Sequence, residues 1–333
     1  MLSHSGEVSV RSVWVRCLSW VWSFINGIAR YALRRGWIKR VELPARVISV
    51  GNIQAGGAGK TPLVAQIAQE AHDYGLSVCI LSRGYLSAWE KRGGVISPQD
   101  TNLDPKFCGD EPALLHELAP FVWIGVGSNR LKQYSEVVRS RGGVHPDLII
   151  LDDGFQNLKI KKDIEVVAIT HHQPHEYVFR ESFDALECAD LLVWTKGDIL
   201  PIDEEGLVHR PLCRVSYELR ELFSDHSRSG KKSDQYWLIT SIADSQSAYD
   251  LILQSGMSVM KHTALTDHFQ YSVESVQSFL KQACDEQVQI ILTGKDWVKW
   301  RSLGVKTSEV IVFEPRLKWV FGRKIWDRVL WEK

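Results

Sequence analysis

What the 333-residue chain lacks narrows its class. It has no excess of charge, with 40 Lys and Arg against 40 Asp and Glu, so no general affinity for nucleic acid is expected. Its six cysteines, Cys17, Cys79, Cys108, Cys188, Cys213 and Cys284, form no C-x-x-C pair and no metal-ligand spacing; they read as reduced thiols, mostly packing residues. There is no secretory leader with a cleavage site, no internal repeat and no low-complexity tract. Nor is there an uninterrupted apolar run of about 20 residues, the length a membrane-spanning helix needs. The remaining composition, 44% hydrophobic and 24% charged, is that of a soluble globular protein with one large or two ordinary α/β domains.

The N-terminal stretch Ser12 to Arg40 is the least ordinary part of what is present. It sets Trp14, Trp20, Trp22, Phe24, Ile25 and Trp37 among Arg16, Arg30, Arg34, Arg35, Lys39 and Arg40. Arg16, Asn26 and Arg30 break the apolar run. Tryptophans flanked by arginines suit a helix lying in the headgroup region, apolar face down and cations on anionic lipid. A helix packed on the first domain is the alternative.

Apolar, β-rich runs then alternate with helical spacing, which predicts parallel βαβ units. Strands are expected at 47–50, 78–82, 121–126, 148–151, 165–169 and 191–195, and a second series at 236–240, near 288–293 and 310–313, with a helix over 245–255. The expected fold is α/β: a P-loop NTPase-like, mostly parallel sheet with helices on both faces, plus a second, smaller α/β lobe. Residues 1–40 form the membrane-associating helix, 41–217 the nucleotide-binding lobe, 218–234 a polar linker and 235–333 the second lobe.

The stretch "SVGNIQAGGAGKTP", Ser49 to Pro62, follows the first strand and opens a segment with helical spacing at Leu63, Ile67 and Ala71. Strand, glycine turn and helix converge backbone N–H groups on an anion, so Gly56, Gly57, Gly59, Lys60 and Thr61 are expected to hold nucleotide phosphates. The strict G-x-x-x-x-G-K-[ST] pattern is not fully met, because Gln54 stands at its first glycine. Downstream, "PDLIILDDGFQN" ends a buried strand on Asp152 and Asp153. Such carboxylates need a cation or hydrogen bonds, and with the Thr61 hydroxyl they form the oxygen set of a Mg²⁺–ATP site.

Other charged groups are weak signals singly: Asp110 and Glu111 in "CGDEPALL", Asp267-His268 in "LTDHFQ", Arg83, Arg130, Arg180-Glu181 and Lys295-Asp296. In order, however, VGN…GGAGKTP, SRGY, GDEP, DDGFQ, RE, DH and T-x-KD resemble the tetraacyldisaccharide 4′-kinases, from about Trp20 to Lys299. The resemblance implies transfer of the ATP γ-phosphate to the 4′-hydroxyl of a lipid A disaccharide precursor, at the cytoplasmic face of the Gram-negative inner membrane. It also implies a peripheral enzyme on an anionic surface, with Asp110 and His268 as catalytic dyad, Asp152, Asp153 and Thr61 at the metal, and Arg83, Glu111, Arg130, Arg180 and Glu181 near substrate or metal. Two positions depart from the usual pattern: Asn157, where many members have His, and Gly294, where Glu is frequent. His171, His172 and His175, within a shortened segment before Arg180, read as a solvated loop. Three rival readings remain: a deviant-Walker positioning ATPase, which lacks its signature lysine because Ala55 stands there; a GTPase reading guanine through Asp198; and a non-catalytic scaffold.

Overall fold

A computed structural model describes residues 21–33, 35–54, 57–101, 103–171, 179–197, 210–223 and 235–332. The first described element is helix α1, over residues 21–33. Strands β1 (Arg46–Asn52), β2 (Val78–Ser82), β3 (Gly94–Ile96), β4 (Trp123–Val126), β5 (Leu148–Asp152), β6 (Ile164–Thr170), β7 (Leu191–Lys196) and β8 (Leu212–Glu221) follow. Among them lie α2 (Lys60–Asp73), α3 (Trp89–Arg92), α4 (Pro105–Cys108), α5 (Asp110–Leu118) and α6 (Arg130–Ser140). Then come β9 (Tyr236–Thr240), α7 (Ser245–Gln254), β10 (Val259–Ala264), α8 (Val273–Asp285), β11 (Gln289–Thr293), α9 (Gly294–Ser302), β12 (Ile311–Phe321) and α10 (Arg323–Leu330).

The chain divides into two compact units. The first comprises Met1–Val64, His145–Ser216 and Trp319–Lys333. Its strands pair in parallel: β1 with β5 and β6, β6 with β7, and β7 with the start of β8. All five residues of β5 are buried, and six of seven in β1, as expected of parallel strands covered on both faces. Val50 lies opposite Asp152 in the register. The glycine turn after β1 and the acidic pair at the end of β5 are therefore neighbours at the carboxyl ends of adjacent strands, where open α/β sheets bind ligands.

The second unit comprises Ala65–Val144 and Tyr217–Lys318. Here β2 and β4 pair in parallel, with β3 antiparallel on β4, while β10, β9, β11 and β12 form a parallel series. Helix α9 packs on α5. Around α9, Trp297 and Trp300 are fully buried, and the Trp300 ring meets Tyr271 edge-on and Phe279 face-on. That aromatic layer fixes the rotation of α9, and so the direction of its lysines.

The mostly parallel sheet and the expected strands are present. Three strands, β3, β8 and β10, were not expected, and β12 runs to Phe321 rather than ending near Phe313. Glu218–Glu221, where the polar stretch begins, continue β8; residues 224–234 lie outside the described residues.

Candidate functional site

In the first unit, β1 delivers the chain into a turn whose Gly57 and Gly59 have φ of +57° and +69°, left-handed values that a side chain disfavours. Gly56 lies outside the described residues. Helix α2 begins at Lys60, with no acidic residue in its first turn, so its N-terminal N–H groups face no competing carboxylate there. Lys60 Nζ donates to Asn52 Oδ1 at 3.0 Å and stands 3.2 Å from Asp153 Oδ1. Arg180 Nη1 donates to Asp153 Oδ2 at 2.7 Å. Burial would raise the Asp153 carboxyl, but Lys60 and Arg180 outweigh it and hold it well below the usual carboxylate range. Asp152, at the end of β5, is buried.

Asn52 Nδ2 and Gln54 Nε2 are buried donors with no hydrogen-bond partner among the described residues. Unsatisfied donors beside a lysine and a helix N-terminus suit a phosphate anion. The nearby oxygen donors, Asp152, Asp153 and the Thr61 hydroxyl, are the ligand chemistry of a hard divalent cation. No group of three His, Cys, Asp or Glu suited to a metal occurs among the described residues, so a cation on these two carboxylates fits best with phosphate oxygens completing its shell.

The Arg180-Glu181 pair faces two ways. While Arg180 holds Asp153, buried Glu181 accepts from Arg30 of α1 and, at 2.8 Å, from Gln156 Nε2. Gln156 also donates to the Asn52 carbonyl at 2.9 Å. Arg30, read from sequence as one of the lipid-facing cations, is thus turned into the protein, where pairing with Glu181 offsets the cost of burying its guanidinium. Asn157 closes a turn, its Oδ1 accepting from Lys159 N at 3.1 Å.

In the second unit, Asp110 opens α5 behind Gly109, whose φ is +97°. His268 Nδ1 lies 3.0 Å from Asp110 Oδ2, although 158 residues separate them in the chain. His268 itself has φ +57°, a left-handed conformation costing a non-glycine residue about 1 kcal/mol or more. Its N–H is held by the Ser241 carbonyl at 3.3 Å and Asp267 Oδ1 at 3.0 Å. The third member is Lys299 of α9, whose Nζ is 3.2 Å from Asp110 Oδ2 and 2.9 Å from Ser241 Oγ.

Asp296, 0% exposed, organises this cluster. It accepts from Ser241 N at 3.0 and 3.1 Å, from Ser241 Oγ, from Tyr271 OH at 3.0 Å and from Thr293 Oγ1 at 2.7 Å. Ser241 so fixed offers its carbonyl to His268 and its hydroxyl to Lys299. Burial would raise the Asp110 carboxyl, but His268 and Lys299 hold it below its ordinary value. The hydrogen bond to Asp110 in turn raises His268 above its own. With Asp110 ionised, its proton-bearing partner is Nδ1, which leaves His268 Nε2, 3.8 Å from Asp267 Oδ2, as the unprotonated ring nitrogen of the neutral form.

Glu111 pairs with Lys295 at 2.8 Å. Burial works against the Lys295 charge, yet Glu111, with Asp267 and Asp110 near, raises it above the usual lysine range. Gly294 stands at the start of α9. A Cβ there would stand 2.3 Å from Glu314 Oε2 and 2.7 Å from Leu114 Cδ1, and its N–H donates to that same carboxylate at 3.1 Å. A carboxylate from β12 occupies the space beside residue 294. Arg130 is turned onto the Gly127 carbonyl at 2.7 Å and Arg83 pairs with Glu90 at 2.7 Å. Asn52 and Gln156 stood in the VGN and DDGFQ motifs without a role of their own, and Lys299 and Glu314 are marked only by their contacts.

Burial lifts Glu314 to about 7 from an ordinary 4.5. Across that window the folded chain keeps a proton that the unfolded chain releases, so this group's contribution to stability falls as pH rises. Glu314→Gln keeps an acceptor for the Gly294 N–H and removes the charge. It should raise the melting temperature clearly at pH 8 and far less at pH 5; an equal shift at both values would contradict the burial of an ionisable group there.

Comparison with known proteins bears on the whole chain. The profile of the family described as LpxK, Tetraacyldisaccharide-1-P 4'-kinase, matches residues 11–332. A relative named Tetraacyldisaccharide 4'-kinase from Desulfatibacillum aliphaticivorans is 28% identical over 335 residues, 94% of this chain and 90% of its own. Proteins of the same name from Cytophaga hutchinsonii and Desulfotalea psychrophila are 30% and 31% identical, over 83% and 80% of this chain and 81% of each of theirs. A crystal structure described as the "apo" form LpxK from Aquifex aeolicus in complex with ATP matches with a TM-score of 0.73 at 23% identity, over 96% of this chain and 99% of that one. That degree of likeness establishes a shared fold.

Proposed function

The chain belongs to the tetraacyldisaccharide-1-P 4'-kinase family, and from that premise we propose roles in phosphoryl transfer for each cluster by itself: Lys60 and its neighbours hold the nucleotide, and Asp110 with His268 supplies the base. The reaction moves the γ-phosphate of ATP to the 4′-hydroxyl of a tetraacyldisaccharide 1-phosphate, the lipid A precursor. The new bond joins the hydroxyl oxygen to the γ-phosphorus as the bond from that phosphorus to the β-phosphate oxygen breaks, ADP leaves, and the hydroxyl proton must go to a base.

The observation that carries the assignment of the base is the 3.0 Å contact of His268 Nδ1 with an ionised Asp110. Asp110 takes contacts from His268 Nδ1 and the Lys299 ammonium on one oxygen and is held low, a poor acceptor for a hydroxyl proton. His268, raised and partly exposed, is the better base, and takes the proton on Nε2 while Asp110 fixes its tautomer and stabilises the imidazolium. Lys60, the α2 N-terminus, Gly56, Gly57 and Gly59 hold the phosphates, and Thr61, Asp152 and Asp153 hold the metal. When bound there, Mg²⁺ supplies neutralisation of charge on the phosphate oxygens. Arg180 orients Asp153, and Lys299 keeps Asp110 ionised and aimed.

The enzyme acts at the cytoplasmic face of the inner membrane as a peripheral protein. Among the described residues no helix is long and apolar enough to cross a membrane. Helix α1 exposes Val21, Trp22, Phe24, Ile25, Ile28 and Tyr31, with Arg35, Lys39 and Arg40 exposed beyond it, an arrangement suited to anionic headgroups. Replacing Trp22 and Ile25 together by Glu should lower binding to anionic vesicles by tenfold or more; undiminished flotation would contradict the membrane role.

The reaction is tested by transfer of labelled γ-phosphate to the disaccharide acceptor in detergent. His268→Ala and Asp110→Ala should each lower kcat by about 10²–10⁴-fold, the usual contribution of a positioned base, and Lys60→Ala should abolish transfer. ATP hydrolysis without labelled lipid would instead support a positioning ATPase or another glycolipid acceptor.

A further inference from the structure

Helix α1 is an amphipathic helix worn inside out. Val21, Trp22, Phe24, Ile25, Ile28 and Tyr31 face outward, while an inner stripe of Ser23, Asn26, Arg30 and Leu33 faces the protein. Arg30 is 8% exposed and its partner Glu181 2%. The guanidinium makes a two-pronged bond, with Nε and Nη2 on the two Glu181 oxygens, the Nη2 contact at 2.9 Å. Nη2 also donates to the Phe155 carbonyl at 3.1 Å, and the group lies 4.0 Å over the Phe155 ring. One turn earlier, Asn26 Nδ2 donates to the Arg180 carbonyl at 2.9 Å.

The Arg180-Glu181 dipeptide is therefore gripped by α1, and it is also gripped by the chain leaving β1. Its two N–H groups donate to the Ile53 carbonyl, at 2.7 and 3.2 Å. From this fixed backbone Arg180 reaches Asp153, which stands against Lys60. A second route runs from Glu181 through Gln156 to Asn52, whose side chain receives Lys60. A simple anchor for α1 would need only apolar contact. A buried bidentate pair is a costly way to add stability but an effective way to fix orientation.

We propose that Arg30 is a positioning residue for the nucleotide site: seated on Glu181, it fixes the dipeptide from which Arg180 orients Asp153 and Lys60, so that the seating of α1 sets nucleotide affinity. This rests on the reading that Lys60 and Asp153 hold Mg-ATP. It differs from the lipid-facing role of α1, because it uses the opposite face of the helix.

The test is calorimetric titration of the full-length protein in detergent with a non-hydrolysable ATP analogue and Mg²⁺, with no lipid acceptor. Arg30→Gln should weaken binding by about fivefold or more, and in an Arg180→Gln background the same change should add less than about twofold, since groups in one network do not act additively. An unchanged Kd in folded Arg30→Gln, or an undiminished loss in the Arg180→Gln background, would overturn the proposal and leave Arg30 a helix anchor. If Arg30→Gln does not fold, Arg30→Lys decides, because it keeps the charge but not the fork: weakening of about threefold or more supports the proposal and an unchanged Kd overturns it. Lys60→Ala run alongside separates the two levels. If it leaves binding intact, the nucleotide reading fails and this proposal with it; if it weakens binding while Arg30→Gln does not, only the present proposal fails.

Discussion

A buried carboxylate that must stay charged governs the second unit. Asp110 is out of water, so its charge is tolerable only with donors in hydrogen-bond reach, and it has two, the His268 ring N–H and the Lys299 ammonium. Lys299 can serve because α9 packs on α5 in one rotation, set by Trp297 and Trp300 in the core and by Asp296 on Ser241. His268 can serve because its left-handed backbone is tied to that same Ser241. The first turn of α9 lies close against the tips of Glu314 and Leu114, which a Cβ at Gly294 would have to displace.

The first unit applies the same rule to Asp153, set between Lys60 and Arg180, and to Glu181, set on Arg30. Charge pairs of this kind contribute little net stability once desolvation is counted. What they contribute is geometry: a lysine with a defined direction beside a helix N-terminus, and a carboxylate held in its ionised form. In an enzyme whose chemistry is mostly positioning and electrostatics, that is where precision is needed.

Local features were legible in the sequence. The parallel strands announce themselves as short apolar runs, and the glycine turn and the Asp152-Asp153 pair are contiguous motifs that adjacent strands bring together. Features set by tertiary contact were not. Asp110 and His268 were paired only through a family resemblance, because nothing in spacing joins residues 158 apart. Lys299, in "DWVKW", looks like an ordinary surface lysine until α9 is packed. Strand β12 is masked by Pro315 and by alternating charges, and β8 by the run of charged residues at its end, although both alternate in burial along part of their length. Arg30 was taken for a lipid-facing cation, yet Ser23, Asn26 and Arg30 recur at helical spacing and mark the inner stripe that the apolar residues leave free.

The ionisation state of the dyad is the point on which the chemistry turns, and it can be read without turnover. With histidine labelled at Cε1, the titration of His268 should be followed by NMR in the wild type and in Asp110→Asn. A midpoint above the ordinary 6.5 that falls on removal of the Asp110 charge is the predicted result. A midpoint at or below 6.5 that the substitution does not move would mean that Asp110 neither charges nor orients His268, and the base would have to be sought elsewhere.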